Sequence, residues 1–230
     1  MTLRTLAGPV LVVCTLSACS FGNNPLVQTL RDAVQGNRSV TDVHLNPAFR
    51  YIRVTVDGRV SFLALGSEDK DPQGPIEVWF SARHEVLRLQ NGRVVGAAGV
   101  TTEWRSVRLP ELPSWSALVR SGQPFQWVRV RDVMPGYRFG VRDELVLSAI
   151  PPPQKSALQG VDAQTLSWFD ERFQTGTAAG RLKKLVTNVA IDGVLPPARY
   201  ALDLRDGKET VVYGEQCLAP ELCFAWQRWK

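Results

Sequence analysis

Histidine is almost absent: His44 and His84 are the only two in 230 residues. A serine–histidine triad or a histidine-built zinc site therefore has little to draw on. The chain also lacks a Gly-x-Ser-x-Gly elbow, a phosphate-cradling glycine loop and a His-Glu-x-x-His pair. Catalysis, a metal and a cofactor are accordingly not expected. The basic residues form no stripe and no reader motif, so nucleic acid is not an expected partner either. Long apolar runs are missing too. The leading one, Leu6 to Leu16, spans eleven residues, well short of the ~20 needed for a membrane-spanning helix. What remains is an ordinary globular composition, with 15 prolines, 18 glycines and 21% charged residues. The net charge of +5 mildly favours anionic neighbours such as lipid headgroups or acidic polysaccharide. A solvated basic surface with no dedicated partner is the plainer reading of the same number.

The short apolar run has the length of a signal-peptide core, and Arg4 supplies the positive charge before it. Leu16-Ser17-Ala18-Cys19 follows, and resembles the lipobox of bacterial lipoproteins. Small residues before the cysteine let a peptidase reach the backbone, and the Cys19 thiol accepts diacylglycerol. Residues 1–18 are thus expected to leave, and residues 19–230 to form a mature periplasmic domain anchored by several acyl chains. Ser20, rather than Asp, follows the cysteine. By resemblance to enterobacterial sorting rules, that points to the outer membrane, with the domain facing the periplasm. With Cys14 lost and Cys19 lipidated, Cys217 and Cys223 are left in a compartment that favours disulfides. A disulfide between them is expected, since a metal pair would lack further ligands.

Asn24-Pro25 predicts a short helix running to Val34 or Gln35, with Asn as N-cap and Gly36 as stop. From Phe49 the apolar period becomes two. Ile52, Val54 and Val56 lead to Asp57-Gly58, then Val60, Phe62 and Ala64. Leu87 and Leu89 lead to Asn91-Gly92, then Val94 and Val95. Both patterns predict hairpins on type I′ turns. A strand is expected at Ile76–Phe80, with residues 67–74 as a polar loop and residues 108–124 as a connection between two strand groups. Further strands are expected at Trp127–Arg131, Tyr137–Ile150, Tyr200–Leu204 with Val211–Tyr213, and Phe224–Trp229. Leu166–Phe173 reads equally as strand or helix, and Pro151-Pro152-Pro153 as an internal boundary. The fold class is mainly β: an antiparallel meander folded into a sandwich or a barrel-like body.

Two features bear on sites. Asp143-Glu144 and Asp170-Glu171 read as surface charges, because strand neighbours point to opposite faces. Seven tryptophans either fill the core or offer stacking faces for sugar rings. Trp127, Arg129 and Arg131 share one strand face, and are the candidates for contact with an acidic glycan.

The stretches Phe62-Leu63-Ala64-Leu65-Gly66, Val78-Trp79-Phe80-Ser81-Ala82, Glu85-Val86-Leu87-Arg88-Leu89 and Asn91-Gly92-Arg93-Val94-Val95-Gly96 resemble the YjbF/GfcB family. Those are outer-membrane lipoproteins encoded with exopolysaccharide or group 4 capsule genes. The resemblance implies an all-β fold and a non-enzymatic accessory role in polysaccharide secretion, beside an outer-membrane β-barrel partner. The alternative is a periplasmic glycan-modifying enzyme. Acidic residues converging in one cleft would favour it.

Overall fold

The computed structural model describes residues 45–174 and 194–229. The leader, Cys19 and the helix expected at residues 24–35 lie outside them. Twelve strands follow one another: β1 Tyr51–Val56, β2 Arg59–Asp69, β3 Ile76–Phe80, β4 Val86–Gln90, β5 Arg93–Ala98, β6 Glu103–Arg108, β7 Phe125–Met134, β8 Arg138–Ile150, β9 Ser167–Phe173, β10 Ala198–Asp203, β11 Thr210–Ala219 and β12 Leu222–Trp229. Each pairs antiparallel with the next, and β12 pairs with β1, so the sheet closes as a barrel. Closure leaves no edge strand open to another chain. The sandwich alternative is set aside.

Turn chemistry explains the tight corners. Asp57 and Gly58 have φ of 49° and 75°, and Asn91 and Gly92 have 48° and 80°. Both central residues of each turn are left-handed, as a type I′ turn demands. The polar stretch after Gly66 differs from expectation. The β2–β3 register shifts between Leu65 and Ser67, and β2 then runs on through Asp69. The bulge at Gly66 keeps the strand paired beyond the point where its apolar alternation stops. Leu166–Phe173, ambiguous by period, resolves as the strand β9.

Alternation divides the side chains into two sets. Ile52, Leu63, Trp79, Leu89, Trp104, Val133, Leu147, Phe169, Tyr200 and Trp226 point inward and form one continuous core. On the outer face, Trp168, Ala201, Tyr213 and Ala225 form a second cluster. The connection after Pro151–Pro153 covers it. Ala157 N–H donates to the Tyr213 hydroxyl at 2.8 Å, and Gln159 and Gln227 exchange hydrogen bonds of 2.9 and 2.6 Å. β8 and β9 pair on either side of this strap, so the sheet is continuous across the expected boundary. A run of prolines ends a strand just as well inside one domain as between two.

Residues 108–124 also differ from expectation. They join the neighbouring strands β6 and β7, and they carry a helix, α1 (Trp115–Ser121). Ser114 caps its start by accepting from Ala117 N–H at 3.2 Å, and Gly122, at φ 61°, ends it. Trp115 and Leu118 belong to the inner core. The helix is therefore a plug in one end of the barrel, where the β2–β3, β4–β5 and β10–β11 connections also lie.

Candidate functional site

The inward face of β7 is charged. Trp127, Arg129 and Arg131 do share that face, but it looks into the barrel, and they are 6%, 5% and 3% exposed. They present no open surface to a glycan. Their neighbours show why burial is tolerated. Arg129 Nε donates to Asp143 Oδ2 at 2.9 Å. Arg131 grips the same carboxylate with Nε at 2.7 Å and Nη2 at 3.1 Å. Both guanidiniums lie against the Trp104 ring, at 4.6 and 5.1 Å from its centroid. Trp104 itself is held by its Nε1 donating to the Leu218 carbonyl at 3.0 Å.

The carboxylates expected at the surface are mostly inside or covered. Asp143, Asp170 and Glu171 are all buried, while Glu144 is exposed. The signal was readable in the phase: Asp143 alternates with Leu145 and Leu147, and Glu171 with Phe169 and Phe173. Glu171 Oε1 accepts from Arg129 Nη1 at 3.5 Å, and its Oε2 meets no donor. Burial pushes its carboxyl above the ordinary range, against the pull of Arg129 and Arg93.

The tryptophans follow the same logic. Trp79, Trp104, Trp115, Trp127, Trp168 and Trp226 are all buried. Only Trp229 is half-exposed, tilted against Phe62 at 5.5 Å. They fill volume and do not form a stacking row. Cys217 and Cys223 are joined as a disulfide, directly opposite each other across the β11–β12 hairpin. His84 sits exposed in the β3–β4 turn, away from these residues.

A space that a ligand could reach lies at the α1 end. A groove of about 1020 Å³ runs between the β2–β3 connection, the β4–β5 turn, α1 and the first residues of β11. That is at the large end of ligand-binding cavities. Its walls are tied to one another. Gln90 Nε2 donates to Asp71 Oδ1 at 2.8 Å and to the Gly74 carbonyl at 2.9 Å, and Asn91 Nδ2 donates to the Gln73 carbonyl at 3.0 Å. Trp115 Nε1 donates to the Asn91 carbonyl at 3.2 Å, locking the helix to the turn. Arg228 Nη2 donates to both oxygens of Glu77, at 2.9 and 3.1 Å. Glu209 accepts from Trp115 and Ser116 N–H, both at 3.0 Å. Hydrogen bonds to Ser114, Trp115 and Ser116 outweigh its desolvation and hold its carboxyl below the usual range.

Arg93 is the residue sequence reasoning passed over. It lines the groove yet is only 4% exposed, with its guanidinium 3.9 Å from the Trp115 ring centroid. Its Nε and Nη2 meet no hydrogen-bond acceptor. Desolvation pulls its pKa down, with Tyr200 and Glu171 pulling the other way. An arginine directly after an Asn-Gly turn gives no hint of this, because the stacking partner comes from a helix more than twenty residues further on.

The molecule is thus a closed antiparallel barrel with a filled, ion-paired interior and a polar groove at its helix-plugged end. No family model matches the chain, and no curated protein matches it. Among solved structures, its fold is similar to the crystal structure of the hypothetical lipoprotein YmcC from Escherichia coli K12. The TM-score is 0.51 at 14% identity, over 90% of this chain and 97% of that one. At that identity the likeness concerns the fold.

Proposed function

We propose that this chain is an outer-membrane lipoprotein, anchored through Cys19 and facing the periplasm, that serves exopolysaccharide or capsule secretion without doing chemistry itself. The observation that carries the reading is the lipobox Leu16–Cys19 at the head of a chain whose barrel shares its fold with a hypothetical lipoprotein. The sequence resemblance to capsule-associated lipoproteins supplies the process, and a polysaccharide-export protein of the outer membrane is the partner it implies. The groove supports a binding role over an enzymatic one. A glycan-modifying enzyme needs carboxylates free to trade protons. Glu77 is gripped by Arg228, and Glu209 by the start of α1. Glu111 alone lines the groove without an ion pair or hydrogen bond among the described residues.

A deletion strain complemented with wild type or Cys19→Ala tests this. Deletion should reduce the secreted or capsular polymer. The Cys19→Ala protein should take up no labelled fatty acid, remain uncleaved and restore little export. Normal polymer in the deletion strain would sink the accessory role. Fatty-acid labelling of Cys19→Ala would sink the anchor. Turnover of the exported polymer by purified wild type would hand the function to the enzyme reading.

A further inference from the structure

We propose that the groove binds an acidic glycan segment, drawn to it by the guanidinium of Arg93 in its floor. This deepens the reading above and rests on it for the choice of a sugar polymer. The anionic part stands on charge. Among the described residues of this inner cluster, Arg93, Arg129 and Arg131 face two carboxylates, Asp143 and Glu171. Asp143 is spoken for by Arg129 and Arg131. Arg93 is left stacked on Trp115 with two nitrogens unmet. A buried cation without an equal share of a carboxylate is a costly arrangement. An anion in the groove beside it would relieve that cost.

The groove's other charges leave this cation exposed to an incoming ligand's field. Glu77 pairs with Arg228 and Arg50 with Glu68, at 2.9 and 2.6 Å, while Glu209 is held at the start of α1 by backbone N–H groups. Glu111, on the rim, and Glu209, at the start of α1, are the carboxylates of the groove without a cationic partner among the described residues. The walls argue for a sugar. They mix polar and apolar groups, are cross-tied and are set in advance of binding, which lowers the ordering cost for a flexible polar chain. Of its apolar side chains, Leu109 and Leu112 are half-buried and Trp115 and Val211 are buried, so the groove offers a protein partner little projecting apolar surface.

The full mature chain, purified in detergent, should be titrated with a galacturonate oligomer, a malto-oligosaccharide of equal length and inorganic phosphate. We expect the acidic oligomer to bind at least about tenfold more tightly than the neutral one, with affinity falling as salt rises. Arg93→Gln should weaken the acidic oligomer about tenfold and leave the neutral one unchanged. Should Arg93→Gln fail to fold, Glu111→Gln keeps the test, since Glu111 is exposed: it should tighten the acidic oligomer about two- to threefold. Equal affinity for the two oligomers, or an unchanged or weaker affinity in Glu111→Gln, overturns the proposal. Phosphate displacing the acidic oligomer at equal anion concentration overturns the glycan part. Binding without an export phenotype would remove the secretion role and leave the groove's ligand standing; a phenotype without binding would do the reverse.

Discussion

Replacing Asp143 by Asn removes one negative charge at the point where two buried arginines meet. Asp143 is 1% exposed and accepts from Arg129 Nε, Arg131 Nε and Arg131 Nη2 at 2.9, 2.7 and 3.1 Å. Charge-assisted hydrogen bonds contribute ~1.5–3 kcal/mol each, but three made to one carboxylate are not additive. The better guide is the ~3–5 kcal/mol lost when one partner of a buried ion pair is removed, because the other charge is left without compensation. The amide makes matters worse, since its NH₂ must face an N–H donor. Among the described residues Arg131 has no second carboxylate, and Arg129 has only Glu171 at 3.5 Å. We expect a loss of about 4 kcal/mol in urea denaturation, with an unchanged m-value, and a fall in Tm of roughly 10 °C. Glu144→Gln, one residue along the same strand but exposed, should stay within about 0.5 kcal/mol of wild type. A loss below about 1 kcal/mol for Asp143→Asn, or equal losses for the two variants, would refute the account of a charge cluster holding β7 against β8 and β9.

Two further expectations concern the same barrel. Glu171 carries a raised pKa because it is buried, so the stability linked to it is full below the unfolded value near 4.5 and is lost as pH rises through the folded value. Urea midpoints should therefore fall with rising pH across that window in wild type and fall less steeply in Glu171→Gln; parallel curves would remove Glu171 as the cause. The Cys217–Cys223 bond closes a short hairpin, and the Cys217→Ser/Cys223→Ser variant should lose about 2 kcal/mol on the chain-entropy account. Intact mass before and after reductant checks the bond itself, and two freely alkylated thiols in unreduced periplasmic protein would end that expectation.

Local signals carried far in this chain. Two turn dipeptides, Asp57-Gly58 and Asn91-Gly92, and period-two alternation placed the first hairpins because φ preference and pleat geometry act between neighbours. The same grammar marked the β10–β11 hairpin and the closing strand β12. It failed where a pattern had two meanings. Prolines at 151–153 could end a strand or a domain, and only the pairing of β8 with β9 distinguishes them. Residues 108–124 looked like a link between strand groups because their helix is short and its two buried residues give no periodicity to read.

Whether an alternating face looks inward or outward is likewise not a local property. Trp127, Arg129 and Arg131 were rightly placed on one face, but that face became the interior because the sheet closes, through β12 returning to β1. By itself the sequence determined most of the strands, the Asp57-Gly58 and Asn91-Gly92 turns and the partnership of Cys217 with Cys223, but not β6, which carries too little apolar alternation to read. Only the tertiary structure decided that the arginines are buried, that Asp143 and Glu171 balance them, and that Arg93 comes to lie against Trp115 beneath a groove. Those are meetings of side chains far apart in the chain. Their energies depend on burial and on distance through space, and neither is written in the order of neighbouring residues.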